Sequence, residues 1–171
     1  MVKGPKSFQI GQIRHFAAAR NSLIPADQLQ RAPFDYFTLQ GKAFLMSPRV
    51  LSIGQCGPDQ AAISGMLRDY FNAQVTTADR GSDALEQLRQ SEFELILINR
   101  KLDVDYSDGM LILEDLQADE QFRTIPVMLI SNFSEWQEKA VAAGALYGFG
   151  KAELQAPETI QRLEEVLGVA D

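Results

Sequence analysis

From residue 49 onward the chain alternates short apolar runs with longer amphipathic stretches, and this alternation is the strongest constraint on its fold. The apolar runs have the length of strands and lie at 50–53, 75–78, 93–98, 125–130 and 145–149. The stretches between and after them carry apolar residues at helical spacing and lie at 59–71, 82–90, 109–118, 134–143 and 157–168. Five strands that are each followed by a helix predict a parallel sheet with helices on both faces.

Two further features refine this α/β prediction. Residues 95–98 are all aliphatic, as a central strand that is buried on both faces requires. Right-handed crossovers restrict such a chain to a doubly wound architecture, in which a site lies at the carboxyl ends of the strands. Ser82 or Asp83 is placed to cap the second helix, and Pro157 suits the first turn of the last helix.

Residues 1–48 lack this alternation and differ from the rest of the chain in charge. Through residue 49 there are seven basic and two acidic residues, a net charge of +5, so the remainder carries −12 of the total −7. A free, solvated tail should not be rich in aromatic residues, so this segment either packs on the body or is buried in a partner. We predict a docking arm over 1–48 and a separate domain over 49–171. The aromatic residues expected to bind the partner are Phe34, Tyr36, Phe37 and Phe44.

The composition argues against several classes of protein. The single cysteine, Cys56, excludes an internal disulfide and fits a reducing compartment. No apolar run approaches the length of a transmembrane helix, and the N-terminal lysines are not followed by the apolar stretch of a signal peptide. We therefore expect a cytoplasmic protein without membrane insertion. The acidic body disfavours nucleic acid as a partner, which leaves other proteins.

Landmark residues follow the predicted strands in a definite order: Asn99, Asp108-Gly109, Ser131, Gly144-Ala145 and Gly150-Lys151. In order, spacing and type they resemble the receiver domain of two-component response regulators. The resemblance covers residues 49–169, roughly the last 70% of the chain and the size of one domain. It implies a flavodoxin-like, five-stranded parallel sheet with strand order 2-1-3-4-5.

The resemblance also locates departures from the family's chemistry. Receiver domains carry an acidic pair that holds magnesium after the first strand, an acceptor aspartate after the third, a serine or threonine after the fourth and a lysine after the fifth. Here Gly54 and Gln55 replace the acidic pair and Asn99 replaces the acceptor, whereas Ser131 and Lys151 remain. Magnesium prefers carboxylate oxygens, and a neutral amide is not an anionic nucleophile. We predict a vestigial phosphorylation pocket with no metal, no cofactor, no phosphoaspartate and no enzymatic activity.

Receiver domains report their state to partners through the fourth helix, fifth strand and fifth helix. Trp136, Tyr147 and Phe149 map to this face and are expected to contact partner proteins. Gly148 falls at the position of the family's switch aromatic residue, so the resemblance does not carry that switch over to this chain.

These features predict a non-catalytic pseudo-receiver that acts as an adaptor or as a subunit of an assembly. Two alternatives stay open. One is a signalling receiver with phosphate-independent regulation, and the other is a ligand binder or small enzyme that reuses the vestigial pocket. A thermal shift that depends on phosphate or nucleotide would favour the second alternative, and its absence would favour the adaptor.

Overall fold

A computed structural model of the protein describes residues 47–168. The strands are β1 (Arg49–Ile53), β2 (Gln74–Ala78), β3 (Leu95–Asn99), β4 (Val127–Ile130) and β5 (Leu146–Phe149). The helices are α1 (Gly57–Phe71), α2 (Gly81–Gln90), α3 (Gly109–Ala118), α4 (Ser134–Ala142) and α5 (Pro157–Leu167), with a 3-10 helix (Lys151–Glu153) before α5. Within the described range no helix is both long and apolar enough to cross a membrane. The aromatic residues predicted for the docking arm lie outside the described residues: Phe34, Tyr36, Phe37 and Phe44.

The five strands form one parallel sheet in the order β2-β1-β3-β4-β5. β1 and β3 pair in continuous register, from Val50 opposite Leu95 to Ile53 opposite Ile98. β3 lies at the centre, and all of its residues are buried. The predicted fold class and the strand order implied by the resemblance are both confirmed.

Alternate residues of the strands build two separate cores, one on each face of the sheet. On one face, Ile53, Ile98 and Leu129 pack with residues of α2, α3 and α4. On the other face, Leu97 and Phe149 pack with residues of α1 and α5. Because both faces are covered, the inner strands are mainly aliphatic, with Ser52 and Asn99 as buried polar exceptions, and this is why the pattern could be recognised in the sequence.

The element boundaries differ from the predicted ones by one or two residues. Phe93 was assigned to the third strand, but it is buried in the core from the connection before β3 and makes no ladder pairing. An apolar residue indicates burial and does not indicate strand pairing, and this explains why the predicted strand began two residues too early. The predicted cap of α2 is wrong, because the N-cap is Arg80 with no side-chain capping bond, while the Ser82 hydroxyl donates to Asp83.

Candidate functional site

Gly54 stands at the position where the first metal carboxylate is expected. Its backbone polar groups hydrogen-bond to the end of β2, to the end of β3 and to the loop after β3. It has a φ of +73°, and its N–H donates to the Ala78 carbonyl at 2.8 Å. Its carbonyl accepts from the Asp103 amide at 3.0 Å and from Asn99 Nδ2 at 2.9 Å. Both backbone polar groups of Gly54 therefore hold the sheet edge together.

The space beside Gly54 is filled by an apolar side chain. Leu102 is fully buried, and a Cβ added at residue 54 would overlap it. The positive φ is also costly for any residue that has a Cβ. Position 54 thus excludes a carboxylate on steric and on conformational grounds.

Asn99, at the position of the acceptor aspartate, is the last residue of β3 and is 8% exposed. Its amide nitrogen donates to the Gly54 carbonyl, which an ionised carboxylate could not do because it has no proton to donate. Its own carbonyl lies against Gly109, where an added Cβ would overlap it. The local structure is therefore built around a neutral amide donor.

Gln55 stands at the position predicted for the second metal carboxylate, and its side chain makes few hydrogen bonds within the described residues. Its Nε2 lies 3.5 Å from the Ile53 carbonyl, and its Oε1 is buried without a hydrogen-bond partner among the described residues. A cavity of about 320 Å³ opens here, lined in part by Gln55, Asp79 and Asp103. Gly54 also lines it, whereas the other three residues predicted for the pocket do not: Asn99, Ser131 and Lys151. The predicted residues thus follow strands of one sheet edge, and only Gly54 and Gln55 of them line this cavity.

Ser131 follows β4 and is used to begin the next helix. It is 8% exposed, and its hydroxyl oxygen accepts a hydrogen bond from the Phe133 amide at 3.2 Å. Phe133 is the N-cap residue of α4. In this structure the retained hydroxyl therefore has a local role in shaping the turn.

Lys151, the retained lysine, pairs with Asp59 of α1. Its Nζ lies 2.6 Å from Asp59 Oδ2, which also accepts from Cys56 Sγ at 3.0 Å. The hydrogen bond from Cys56, followed by that from Lys151, lowers the pKa of the Asp59 carboxyl below its ordinary value. Sequence reasoning missed Asp59, because a carboxylate in the first turn of a helix is too common to single out.

Gln137 of α4 is a second residue that sequence reasoning missed. Its side chain is 3% exposed and lies where the β4–β5 pairing shifts register. Its Oε1 accepts from the Gly148 amide at 3.0 Å. Its Nε2 faces three carbonyl oxygens, those of Ser131 (3.0 Å), Leu129 (3.1 Å) and Phe149 (3.4 Å). The buried side-chain amide of Gln137 thus provides hydrogen-bond partners for backbone groups where the β4–β5 pairing is irregular.

Gly148, at the position of the switch aromatic residue, has no room for a side chain. A Cβ there would overlap the Leu129 carbonyl and approach Gln137 Oε1 at 3.0 Å. The close packing at this position therefore requires glycine, because a side chain would overlap β4 and approach α4.

The residues predicted for the partner-binding face differ in exposure. Tyr147 is 44% exposed, and the Arg162 guanidinium of α5 lies 4.9 Å from its ring centroid. Phe149 is 1% exposed and packs in the core, so its assignment as a partner contact is wrong. Strand alternation alone would place Tyr147 and Phe149 on the same side, so their different exposure comes from the packing around each residue, and the sequence pattern did not indicate it.

Trp136, the third residue of that set, is half-buried and lies among cations. The Arg100 guanidinium is 3.4 Å from its ring centroid, and Lys139 Nζ is 4.1 Å away. Arg100 also pairs with Asp108 at 2.9 Å. Trp136 therefore contacts the residue that follows Asn99, and so connects α4 with the end of β3.

The sequence matches no model of a protein family and no curated protein. Solved structures with the same fold are numerous. NtrX from Brucella abortus is 24% identical, with a TM-score of 0.60 over 71% of this chain and 27% of that longer chain. The chemotaxis response regulator CheY4 of Vibrio cholerae is 21% identical, with a TM-score of 0.55 over 71% of this chain and 99% of its own.

A third similar structure is relevant to the positions where magnesium-binding carboxylates were expected. The receiver domain of a sensor histidine kinase from Pseudomonas aeruginosa is 22% identical, with a TM-score of 0.55 over 71% of this chain and 98% of its own. That structure has a magnesium ion coordinated in its active site cleft. At these levels of identity the similarity concerns the fold. The part of the chain that the structure describes therefore has the fold of a response-regulator receiver domain.

Proposed function

We propose that this protein is a non-catalytic pseudo-receiver that works as a protein–protein adaptor in signalling or in an assembly. It binds its partners without being phosphorylated on aspartate. The receiver fold supports a signalling role, and the altered pocket supports a role that does not use phosphoryl transfer.

The observation that carries the proposal concerns the carboxyl ends of β1 and β3, where other groups of the protein occupy the space beside Gly54 and Asn99. Phosphoryl transfer to aspartate needs a carboxylate acceptor and a divalent cation that neutralises the transferred group. Asn99 donates its amide to the Gly54 carbonyl, and Leu102 fills the space where a side chain at 54 would extend. These residues do not fit a magnesium ion, since position 54 offers no carboxylate and excludes one by packing.

The ion pair of Lys151 also supports a role that does not use phosphoryl transfer. In the family this lysine stands beside the phosphorylation site, whereas here its Nζ is bound to Asp59 at 2.6 Å. An ammonium that is already paired with a carboxylate is a poor partner for a phosphoryl group, because the existing pair would have to break. Lys151 thus has a structural partner in place of a catalytic one.

The adaptor part of the proposal concerns the face formed by α4, β5 and α5. Val141, Leu146 and Tyr147 expose more than two fifths of their surface there, and Arg162 lies over Tyr147. Tyrosine and arginine are frequent anchors of protein interfaces, and the aliphatic side chains beside them add exposed apolar area. We propose that this face holds one partner and that residues 1–48 hold another.

The test of the chemical part is the intact mass after incubation with magnesium and acetyl phosphate. We expect no added phosphate on the full chain or on the Asn99→Asp variant, because that variant still lacks a carboxylate at 54 and 55. A receiver domain with an intact acidic pair, treated in parallel, is the positive control. An acid-stable, base-labile adduct of one phosphate on the unmodified chain would refute the proposal.

The cavity beside Gln55 favours one second candidate, a small-ligand binder. It encloses about 320 Å³ and is lined in part by Asp79, Asp103 and Gln55, whose side-chain oxygens are hydrogen-bond acceptors. A thermal shift with small amines or nucleotides that disappears in Gln55→Leu would support this candidate. No shift with any of these compounds would leave the adaptor as the sole proposal.

A further inference from the structure

Arg100, the first residue after β3, contacts two helices from the carboxyl end of the central strand. Its amide donates to the Ile130 carbonyl at 3.1 Å, and its carbonyl accepts from the Gly109 amide at 3.0 Å. Its guanidinium lies 3.4 Å from the Trp136 ring centroid, and its Nη1 lies 2.9 Å from Asp108 Oδ1. The backbone of Arg100 is therefore fixed to the sheet and to the start of α3, while its side chain reaches α4.

Asp108 orients the guanidinium of Arg100. It is the N-cap residue of α3, and its Oδ1 also accepts from the Met110 amide at 2.9 Å. Because this carboxylate is itself bound to the first turn of α3, its hydrogen bond to Nη1 fixes the guanidinium beside the indole ring. Planar guanidinium groups stack favourably on aromatic rings. The contact between Arg100 and Trp136 thus connects α4 to the end of β3 and to α3.

Trp136 and Gln137 hold two different sides of α4. Gln137 accepts from the Gly148 amide and donates toward carbonyl oxygens of the neighbouring strands. Successive residues of a helix point about 100° apart, so the two side chains contact different parts of the fold. Lys139 Nζ is 4.1 Å from the Trp136 ring centroid, but this contact stays within α4. Release of Arg100 would therefore leave the bonds of Gln137 as a fixed point about which α4 can turn.

The stacked position of Arg100 carries a cost that favours its release. Its Nε is buried and has no hydrogen-bond partner in the part of the chain that the structure describes. A buried donor without an acceptor costs free energy, and water would satisfy it if the side chain moved outward. The side chain is already 22% exposed, so solvent reaches part of it. The contact with the indole is therefore easier to open than that of a fully hydrogen-bonded arginine.

We propose that Arg100, Asp108 and Trp136 form a latch, the Arg100 latch, which holds α4 in the position that completes the α4–β5–α5 face. Val141 of α4 and Tyr147 of β5 are 43% and 44% exposed on that face. When the guanidinium leaves the indole ring, α4 turns, and Val141 moves relative to Tyr147. The latch thereby regulates binding from the carboxyl edge of the sheet, a consequence that rests on the proposed role of this face in holding a partner.

Amide hydrogen exchange of the full-length protein tests the latch without any partner. In Arg100→Ala we expect the amides of α4 to exchange about tenfold faster, as the loss of a partly buried cation–π contact implies. Exchange in α1 should stay unchanged, because α1 packs on the opposite face of the sheet. Arg80→Ala is the matched control, since it removes an arginine that pairs with Asp105 at the same edge. Unchanged exchange in α4, or equal acceleration of α1 and α4, would overturn the proposal.

A double-mutant cycle shows whether Arg100 acts through Trp136. Trp136→Leu removes the ring but keeps an apolar side chain against the core, and it should accelerate exchange in α4 to a similar extent. The double variant should be no faster than the faster single variant, because both changes remove the same contact. Effects that multiply in the double variant would refute the latch.

Fluorescence gives an independent readout, because Trp136 is the single tryptophan of the chain. Acrylamide quenching should increase in Arg100→Ala, where the guanidinium no longer covers the ring, and should stay at the native level in Arg80→Ala. Equal quenching in the two variants would count against the latch.

The amide resonances of Val141, Leu146 and Tyr147 report whether the latch reaches the partner-binding face. They should shift in Arg100→Ala and stay in place in Arg80→Ala. Resonances that are unchanged in both variants would refute the regulatory part of the proposal. Phosphate uptake by the unmodified chain would instead refute the proposed function and leave all of these readouts as they are, so the two failures are distinguishable.

Discussion

The two halves of the sheet's carboxyl edge are held together in different ways. At the ends of β1 and β3, an apolar side chain, Leu102, is packed against Gly54, and a neutral amide, Asn99, bonds to the backbone. At the ends of β4 and β5, a buried polar side chain, Gln137, accepts from the Gly148 amide, and its Nε2 group faces three backbone carbonyl oxygens. The first half is closed by packing and the second by hydrogen bonds.

This difference indicates which changes each half can tolerate. A closely packed apolar contact resists added volume, so the β1–β3 half should be destabilised by an introduced carboxylate side chain. A buried amide network resists the loss of one member, since every partner left behind is an unsatisfied polar group. The two halves can therefore be tested with opposite kinds of substitution, one that adds atoms and one that removes them.

The largest effect is expected for Gly54→Asp. The new side chain would overlap Leu102 and force a non-glycine residue to adopt a φ of +73°. We expect the free energy of unfolding to fall by roughly 3 to 5 kcal/mol, measured by chemical denaturation. Gly57→Ala is the matched control, because a Cβ there meets nothing within 4 Å. If Gly54→Asp were as stable as the control, the β1–β3 half would not be closed by packing.

Truncation of Leu102 sharpens the same point. Leu102→Ala removes a fully buried side chain and should cost about 2 to 4 kcal/mol. It also makes room beside residue 54, so Gly54→Ala should be less destabilising in the Leu102→Ala background than in the native one. A double-mutant cycle of unfolding free energies measures this coupling. Strict additivity would mean that the two positions do not compete for the same space.

The β4–β5 half should respond to the loss of one amide. Gln137→Ala leaves the Gly148 amide and nearby carbonyls without their partner, and we expect a loss of about 2 to 3 kcal/mol. Hydrogen exchange of the β4 and β5 amides should accelerate more than that of β1. Gln90→Ala, an exposed glutamine on α2, is the control for removal of the same side chain. Equal effects of the two substitutions would show that the buried amide does not hold this half.

The smallest effect concerns Asp59 and Lys151. The pKa of Asp59 is lowered in the folded protein, so its ion pair stabilises the fold above the unfolded-state pKa and is lost as the pH falls through the folded-state pKa. Both side chains are about 30% exposed, so the contribution should be about 1 kcal/mol or less. Asp59→Asn should therefore reduce stability at neutral pH and have no effect in strong acid, as followed by thermal unfolding. A larger loss in acid than at neutral pH would contradict this sign.

The fold was predictable from the sequence because it depends on burial, and buried positions appear in the sequence as apolar residues at regular spacing. The aliphatic run at 95–98 marked the central strand, and the landmarks from Asn99 to Lys151 marked the strand ends. Strand starts were less predictable, since Phe93 is apolar for packing rather than for pairing. The capping of α2 was missed because Arg80 caps through its backbone alone.

The site was predictable only in part. The prediction that Gly54, Gln55 and Asn99 stand in for carboxylates came from the resemblance, which supplied the positions, and it stays a prediction. Asp59 and Gln137 could not be recognised, since their partners come from other elements and depend on tertiary geometry. The exposure of Tyr147 and the burial of Phe149 could not be predicted from strand alternation, because the two residues are two positions apart and differ only in the tertiary packing around them.

The most direct test of the central claim, that the β1–β3 half takes up neither metal nor phosphoryl group, is residue-resolved. Amide proton–nitrogen NMR spectra of the full chain are recorded during titration with magnesium, and then with beryllofluoride, an analogue of an aspartyl phosphate. The account predicts that the resonances of Gly54, Gln55 and Asn99 stay in place throughout. Saturable shifts of these three resonances, stronger with both additives than with magnesium alone, would contradict it.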